Sequence, residues 1–199
     1  MKTKYIIDQK RPLSWSSISS WEYNPEEWFK RYILKEKTEE TVEMAFGKKL
    51  ATELETNTCT IPDLVQHLKN KKEHKFLVKF NDIPLIGFAD DFCTKTFREL
   101  NELKTGKKEW DQKRVDTHQQ FDMYLLMNYI TNRIPPEEVR CRLFWLPTVD
   151  SMDFSIQFRD NPPTPIIFET SRTMRDIVEF GAKIKRIYAE MQKYVENHQ

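Results

Sequence analysis

The hydrophobic period changes at residue 74, and this change limits the possible folds more than any other feature of the sequence. Over 44–54, apolar residues recur at the spacing of an amphipathic helix. Over 74–80 they alternate, which is typical of a strand with one buried face. Asn81-Asp82 then has the composition of a two-residue hairpin turn, and a second strand follows at 83–92. The chain therefore combines helices with a β-sheet.

The rest of the chain continues to switch between the two periods. The sequence predicts a strand at 97–105, a helix to about residue 132, strands at 139–146 and 153–158, a short edge strand at 166–169 and a long helix at 171–195. This order favours an α/β fold with a central mixed β-sheet flanked by helices. We expect one domain at 14–199, preceded by a short basic arm at 1–13.

Several helix starts are marked by side chains that accept hydrogen bonds from the first free backbone N–H groups. Ser16 or Ser17 is predicted to cap a short helix near the N-terminus, and Asn24 a second helix that begins with proline. Asp116 is predicted to cap the next long helix, with Gln119 completing a capping box.

The overall charge does not point to a polyanionic partner. The 199 residues contain 32 Lys and Arg against 31 Asp and Glu, a net charge of +1, so any nucleic-acid surface must be local. No apolar run has the length of a membrane-spanning helix. Three scattered cysteines form neither a disulfide framework nor a CxxC metal pair. We expect a cytoplasmic protein without a membrane partner.

Three charged residues form the most informative cluster. Glu102 and Lys104 are two apart in a predicted strand, so their side chains share one face. Asp90 ends the preceding strand, at a separation that lets it lie beside Glu102 on an antiparallel neighbour. Adjacent carboxylates repel unless a cation joins them, and oxygen ligands suit Mg²⁺ or Mn²⁺. A lysine there can orient water or stabilise charge on a phosphate. From the spacing alone, a surface strand with solvated charge pairs is the alternative.

A helix and a basic segment follow this cluster. Gln120 and Tyr124 are four apart and share one helical face. The basic residues are a phosphate-binding rim in one interpretation and an ordinary solvated loop in the other: Lys104, Lys107, Lys108, Lys113 and Arg114. Trp110 is either a base-stacking residue or a core residue. His118 is expected at a helix start, without a catalytic role.

Together, these segments resemble three motifs of the PD-(D/E)XK nuclease superfamily, in its RecB-type and phage exonuclease-like branch. Residues 87–90 match G-x-x-D, residues 102–106 match E-x-K-T-G, and residues 120–124 match Q-x-x-x-Y. They occur in the family's order, and the opening segment at 13–33 is also similar. The resemblance implies a restriction-endonuclease-like core, with a central mixed sheet flanked by helices.

The resemblance also implies roles for individual residues. Asp90 and Glu102, with the backbone carbonyl of Leu103, would bind Mg²⁺ or Mn²⁺. Lys104 would position the attacking water, so that the catalytic set is Asp90, Glu102 and Lys104. Substrate would be bound by Gln120, Tyr124, Lys107 and Lys108.

Two positions depart from the family pattern. Ala51 stands where many members have the metal-binding histidine of a G-x-x-x-H motif. Glu55, one turn further along the helix, is one replacement for that ligand, water is the preferred one, and the loss of one metal site is the third alternative. Asn24 stands where iron–sulfur members have cysteine, so we expect no iron–sulfur cluster.

The expected function is metal-dependent hydrolysis of DNA, exonuclease-like, in recombination, repair or phage DNA processing. The sequence has no ATP-binding motif, so a helicase would be a separate partner chain, as would a recombination or annealing protein. One alternative is a catalytically degenerate DNA-binding or scaffold protein, which Ala51 favours. The other is a structure-specific endonuclease or an RNase on the same fold.

Overall fold

The structure is a computed structural model that describes residues 12–68, 73–152 and 155–198. Its α-helices are α1 (Trp15–Tyr23), α2 (Pro25–Trp28), α3 (Val42–Glu55), α4 (Pro62–His67), α5 (Gln112–Asp116), α6 (Gln120–Asn132) and α7 (Met174–His198). Its strands are β1 (His74–Phe80), β2 (Ile83–Ala89), β3 (Asp91–Phe92), β4 (Glu99–Gly106), β5 (Arg140–Asp150), β6 (Ile156–Phe158) and β7 (Ile166–Thr170). A π-helical segment (Phe29–Leu34) continues α2, and a 3₁₀ turn (Pro136–Glu138) precedes β5.

The strands form a two-stranded hairpin and a five-stranded mixed sheet. β1 and β2 pair antiparallel, and the larger sheet has the order β3-β4-β5-β6, with β7 also paired to β5. β4 and β5 run parallel, whereas the other pairs are antiparallel. Parallel neighbours need a crossover, and α5 and α6 lie in the connection between β4 and β5. The predicted α/β fold with a central mixed sheet flanked by helices is confirmed.

The hairpin has the predicted two-residue turn. Asn81 and Asp82 both have positive φ, 45° and 68°, as a type I′ turn requires. The prediction of one strand at 83–92 is wrong, because β2 ends at Ala89 and β3 pairs with β4 instead of β1. The strand changes its partner at Asp90, and this change interrupts the ladder.

Apolar side chains fill both faces of the larger sheet. Trp145 and Phe144 are neighbours in β5 and point to opposite faces. Trp145 belongs to a cluster that joins the sheet to α1, α6 and α7. Phe144 belongs to a smaller cluster under α3 and α4. Polar groups between these layers are shielded from water, so they need partners within the protein.

Two helix caps differ from the predicted ones. Ser14, and not Ser16 or Ser17, caps α1, because its hydroxyl accepts the N–H of Ser17 at 3.1 Å. Asn24 caps α2 as predicted.

Asp116 does not cap α6, because its carboxylate accepts hydrogen bonds from Gln112 and Thr170. Asp111 caps α5 instead, and Gln119 gives α6 no side-chain cap.

The N-terminal arm predicted at 1–13 lies outside the described residues except for its last two. Leu13 is buried; it donates to the carbonyl of Pro84 and accepts from the N–H of Ile86. The start of the strand predicted at 153–158 also lies outside the described residues. In the described part of the chain, no helix combines the length and apolar character needed to cross a membrane.

Arg172 is a buried guanidinium that ties β7 to the segment between α5 and α6. Its Nε donates to Asp122 Oδ1 at 2.5 Å, and its Nη1 to Thr170 Oγ1 at 2.6 Å. Its Nη2 reaches the carbonyls of Val115 and His118, both at 3.3 Å. Since these four groups and the carbonyl of Ser171 converge on one side chain, its loss leaves several buried acceptors unpaired.

We expect Arg172→Ala to lower the free energy of unfolding by about 3–5 kcal/mol, because it leaves the buried carboxylate of Asp122 without its cation. The measurement is urea unfolding followed by tryptophan fluorescence. Arg140→Ala is the matched control, because its ion pair with Glu169 is more than half exposed and should contribute below about 1 kcal/mol. Equal losses in the two variants would contradict the assignment.

Candidate active site

Glu102 and Lys104 project from β4 on the side of α6. Glu102 is 2% exposed, and its Oε1 accepts a hydrogen bond from Lys104 Nζ at 2.5 Å. Leu103, between them, points to the other face and packs with the cluster under α3 and α4. The alternation of the strand therefore separates a charged side from an apolar side, and the charged side is not the solvated surface of the alternative interpretation.

Asp90 reaches β4 from the point where the chain passes from β2 to β3. The register pairs Asp91 with Asn101, so one step further brings Asp90 alongside Glu102. Asp90 Oδ2 accepts the backbone N–H of Leu103 at 2.7 Å. Asp91 instead accepts the side-chain amide of Asn101 at 2.5 Å. The structure therefore brings the carboxylates of Asp90 and Glu102 together.

The side-chain amide of Gln120 joins Lys104 to Tyr124. A lysine only donates, so the amide oxygen faces Lys104 Nζ, at 2.9 Å. The amide nitrogen then donates to Glu102 Oε1 at 2.6 Å and to the Tyr124 hydroxyl at 2.7 Å. That hydroxyl donates in turn to the carbonyl of Phe88. Each of these hydrogen bonds pairs a donor with an acceptor in only one way, so the amide of Gln120 has one orientation.

Gly87 allows α6 to approach β2 closely enough for this network. A Cβ at this position would lie 2.4 Å from Met127 Cε and 2.8 Å from Tyr124 Cε1. Neither distance is sterically possible. The ring of Tyr124 packs against the bare backbone of Gly87, and its hydroxyl reaches the next carbonyl along the strand.

Glu102 keeps one oxygen without a partner. Among the described residues, nothing donates to its buried Oε2. Burial, followed by the charge of Asp90, raises the pKa of Glu102 to about 8. A cation bound at this oxygen would replace the proton and offset the repulsion between the two carboxylates.

Lys104 carries the positive charge of the site. Burial lowers its pKa, but the charges of Glu102 and Asp90 together outweigh burial, so the pKa lies above its ordinary value. Lys104 therefore remains cationic at neutral pH. A cation cannot accept a proton, so Lys104 could act at this site only through its charge.

His118 precedes α6, as predicted, and contacts Gln120. Its Nε2 lies 3.1 Å from Gln120 Oε1, and that oxygen only accepts, so Nε2 bears the hydrogen. Burial, followed by the charge of Lys104, lowers the pKa of His118 to about 4. The neutral ring lies edge-on to Trp15 and Trp110 and holds the amide of Gln120 in place.

A small cavity of about 20 Å³ adjoins Asp90 on the α3 side. Ala51 lines it together with Asp90 and Leu103, so the helix stripe does direct position 51 toward Asp90. Gly47 brings α3 close to β4, since a Cβ there would lie 3.2 Å from Thr105 Oγ1.

Glu55 and Glu73 line the same cavity, and the sequence analysis missed Glu73. Burial, followed by the charges of Asp90 and Glu55, raises the pKa of Glu73. A signal was present in the sequence: counting back from the two-residue turn pairs His74 with Ala89, which brings Glu73 opposite Asp90.

Two of the predicted substrate-binding residues lie apart from this cluster. Lys107 forms ion pairs with Asp150 at 2.8 Å and with Glu43 at 3.2 Å. Lys108 is exposed on the turn after β4. In the described part of the chain, neither residue lines the cavity at Asp90. Neither lines the cleft beside Lys104 that α1, β2 and the start of α6 form.

Trp110 is a core residue, which decides between its two interpretations. It is 8% exposed, and the guanidinium of Arg114 covers its ring at 3.7 Å from the centroid. A ring covered in this way has no free face to stack on a base.

A cleft of about 650 Å³ opens beside Lys104. Its walls come from α1, β2 and the start of α6, and Gln120 and Tyr124 line it. A larger hollow, about 920 Å³, lies around Arg172 and the N-terminus of α7. The cleft is the candidate site, because Lys104 and Gln120, which both donate to Glu102, line it, whereas neither of them lines the larger hollow.

The donor set at Asp90 and Glu102, with the carbonyl of Leu103, consists of oxygens and fits a hard divalent cation. Among the described residues, no group of three or more His, Cys, Asp or Glu side chains is arranged to hold a metal ion. A cation held by these residues would complete its coordination with water and substrate oxygens, as Mg²⁺ commonly does.

Comparison with solved structures finds the same fold in a protein from Eubacterium rectale that is described as a putative exonuclease. The TM-score is 0.62 at 10% sequence identity, over 97% of this chain and 86% of that one. No protein-family model matches the sequence, and no curated protein matches it. The structural likeness establishes the shared α/β fold and leaves the activity to the chemistry of the site.

We expect Mn²⁺ affinity to rise with pH between 6 and 8, by about tenfold per pH unit at most, and to level off above 8. A metal held by Glu102 would need that carboxyl group ionised, and its pKa of about 8 keeps the group protonated below that pH. Calorimetric titration at several pH values measures the affinity, with Glu102→Gln as the variant that should lose both affinity and pH dependence. An affinity that stays the same from pH 6 to pH 8 would contradict this role.

Proposed function

We propose that the chain is a metal-dependent nuclease of the PD-(D/E)XK superfamily, in its RecB-type and phage exonuclease-like branch. It hydrolyses phosphodiester bonds in DNA with Mg²⁺ or Mn²⁺, in an exonuclease-like manner. One observation carries the proposal: Glu102 lies within range of the charge of Asp90, its buried Oε2 is unpaired among the described residues, and the cationic Lys104 pairs with its other oxygen. The fold shared with the putative exonuclease supports it.

The roles of the side chains follow from this geometry. When bound, a divalent cation supplies Lewis-acid polarisation of the phosphate and lowers the pKa of water. Asp90 and Glu102, with the carbonyl of Leu103, are the groups that would hold it. Lys104, with its side chain 27% exposed, holds a positive charge where negative charge develops on the phosphate.

Gln120 and its neighbours fix this charge before substrate arrives. Gln120 bonds Lys104 and Glu102 at once, while His118 and Tyr124 hold the amide from its two ends. A charge that is already oriented needs no rearrangement during the reaction, which is the main electrostatic advantage of an enzyme site over water.

The biological setting is part of the same proposal. We place the activity in recombination, repair or phage DNA processing, with any helicase or annealing protein as a separate chain. A DNA-binding protein without activity is the second candidate, because Ala51 leaves the cavity at Asp90 without the family's histidine.

We expect Asp90→Asn to abolish cleavage, because it removes one of two charged ligands, and Lys104→Ala to slow it by about 100- to 1,000-fold with little change in DNA binding. The assay uses linear, circular and single-stranded DNA with Mg²⁺, Mn²⁺ or EDTA. Lys79→Ala, on the hairpin and paired with Asp82, is the matched lysine control. Wild-type protein that cleaves nothing with either metal would favour the non-catalytic candidate.

We expect Ala51→His to tighten Mn²⁺ binding more than Mg²⁺ binding, because imidazole is a softer ligand than a carboxylate. We expect Glu55→Gln to change the affinity little, since water is the preferred replacement for the missing ligand. Calorimetry measures both, and thermal unfolding checks that the histidine is accommodated. Loss of Mn²⁺ binding in Glu55→Gln would instead identify Glu55 as the ligand.

A further inference from the structure

One face of α1 forms a wall of the cleft that contains Lys104. The core face of this helix carries the buried residues Ile18 and Trp21. The opposite face lines the cleft with residues at helical spacing: Ser16, Ser19, Ser20 and Tyr23. Hydroxyl groups and one aromatic ring therefore face the groups assigned to the reaction.

Two aromatic side chains of this cleft are exposed. Tyr23 is 92% exposed and Phe88 is 44% exposed. Tyr23 comes from the end of α1 and Phe88 from β2, and both line the same cleft. Neither exposure is explained by packing, so the rings are available to a ligand that lies next to Lys104.

The charge of the cleft suits phosphate groups. Arg31 and Lys104 line it, and none of its described lining residues is acidic. Lys75 lies opposite Phe88 in the hairpin register. Since the whole chain has nearly as many acidic as basic residues, 31 against 32, a lining without carboxylates favours a polyanion at this place.

The volume of the cleft and its exposed aromatic rings favour a single DNA strand over a duplex. At about 650 Å³, the cleft is in the range of small-ligand sites and takes a few nucleotides of one strand. Bases within a duplex are stacked on each other, so their faces cannot reach a protein ring. Unpaired bases stack on aromatic side chains whatever their sequence, while cations follow the backbone.

We infer that Tyr23 and Phe88 stack on unpaired bases of a single DNA strand whose phosphate lies at Lys104. This inference rests on the proposed function and specifies its substrate: the strand is unpaired at the site, and it is bound without regard to sequence.

The test compares an oligothymidylate with an abasic oligonucleotide of the same length, by fluorescence anisotropy in EDTA so that no cleavage occurs. Wild-type protein should bind the oligothymidylate more tightly. Tyr23→Ala and Phe88→Ala should each weaken oligothymidylate binding by about 5- to 100-fold and leave abasic binding unchanged. Tyr23→Phe keeps the ring and should bind like wild type.

Leu77→Ala is the matched control, because Leu77 is 59% exposed on the same hairpin and does not line the cleft. The inference would be overturned if wild-type protein bound the two oligonucleotides with equal affinity. It would also be overturned if the alanine variants bound the oligothymidylate as tightly as wild-type protein does. If cleavage still depends on Asp90 in that case, the proposed nuclease stands and only the stacking fails. Protein that binds neither oligonucleotide and cleaves no DNA contradicts both.

Discussion

Two neighbouring carboxylates lie between the sheet and its helices, and most of the surrounding polar structure compensates for their burial. Moving a charge out of water costs several kcal/mol even after the protein relaxes. Lys104 and Gln120 donate to one oxygen of Glu102, and the N–H of Leu103 donates to Asp90. This compensation is incomplete, because none of the described residues donates a hydrogen bond to Oε2 of Glu102. Proteins retain such an uncompensated group mostly at functional sites, which is why this atom carries so much of the functional argument.

The fold controls the site through close contacts that do not involve the carboxylates themselves. Because Gly87 has no side chain, α6 packs on β2, and Tyr124 then holds the amide of Gln120. On the other side of that amide, Arg172 bonds the carbonyl of His118. The orientation of Lys104 therefore depends on a glycine contact in one direction and on a buried ion pair in the other. A local change in either place alters the electrostatics of the site without touching its charged residues.

The sequence predicts those features that depend on local rules. Alternation over 74–80 and the Asn81-Asp82 turn define the hairpin, and spacings of two and four place Glu102 with Lys104 and Gln120 with Tyr124. The failures arise where distant groups compete. The carboxylate of Asp116, at the end of α5, accepts a hydrogen bond from Thr170 in β7, so it does not cap α6.

The same reason explains the other features that the sequence mispredicts, leaves open or misses. The strand at 83–92 breaks because β4 competes with β1 for pairing, which no single-strand pattern records. Trp110 is covered by Arg114, so its role depends on a neighbour's conformation. Glu73 was predictable in principle, since the turn fixes its register, but its spacing from Asp90 forms no local motif. The sequence thus identifies the chemical groups, whereas their competition for partners requires the structure.

The alternation of β4 also separates two tasks within the proposed site. Asp90 and Leu103 face the small cavity under α3, which Ala51 also lines. Lys104 faces the cleft under α1, where the exposed rings and hydroxyl groups lie. Glu102 lies between these two sides and serves both, since it repels Asp90 and pairs with Lys104. In the proposed site, the side chain at position 51 therefore bears on how a cation would be coordinated, and it does not line the cleft that would hold a DNA strand.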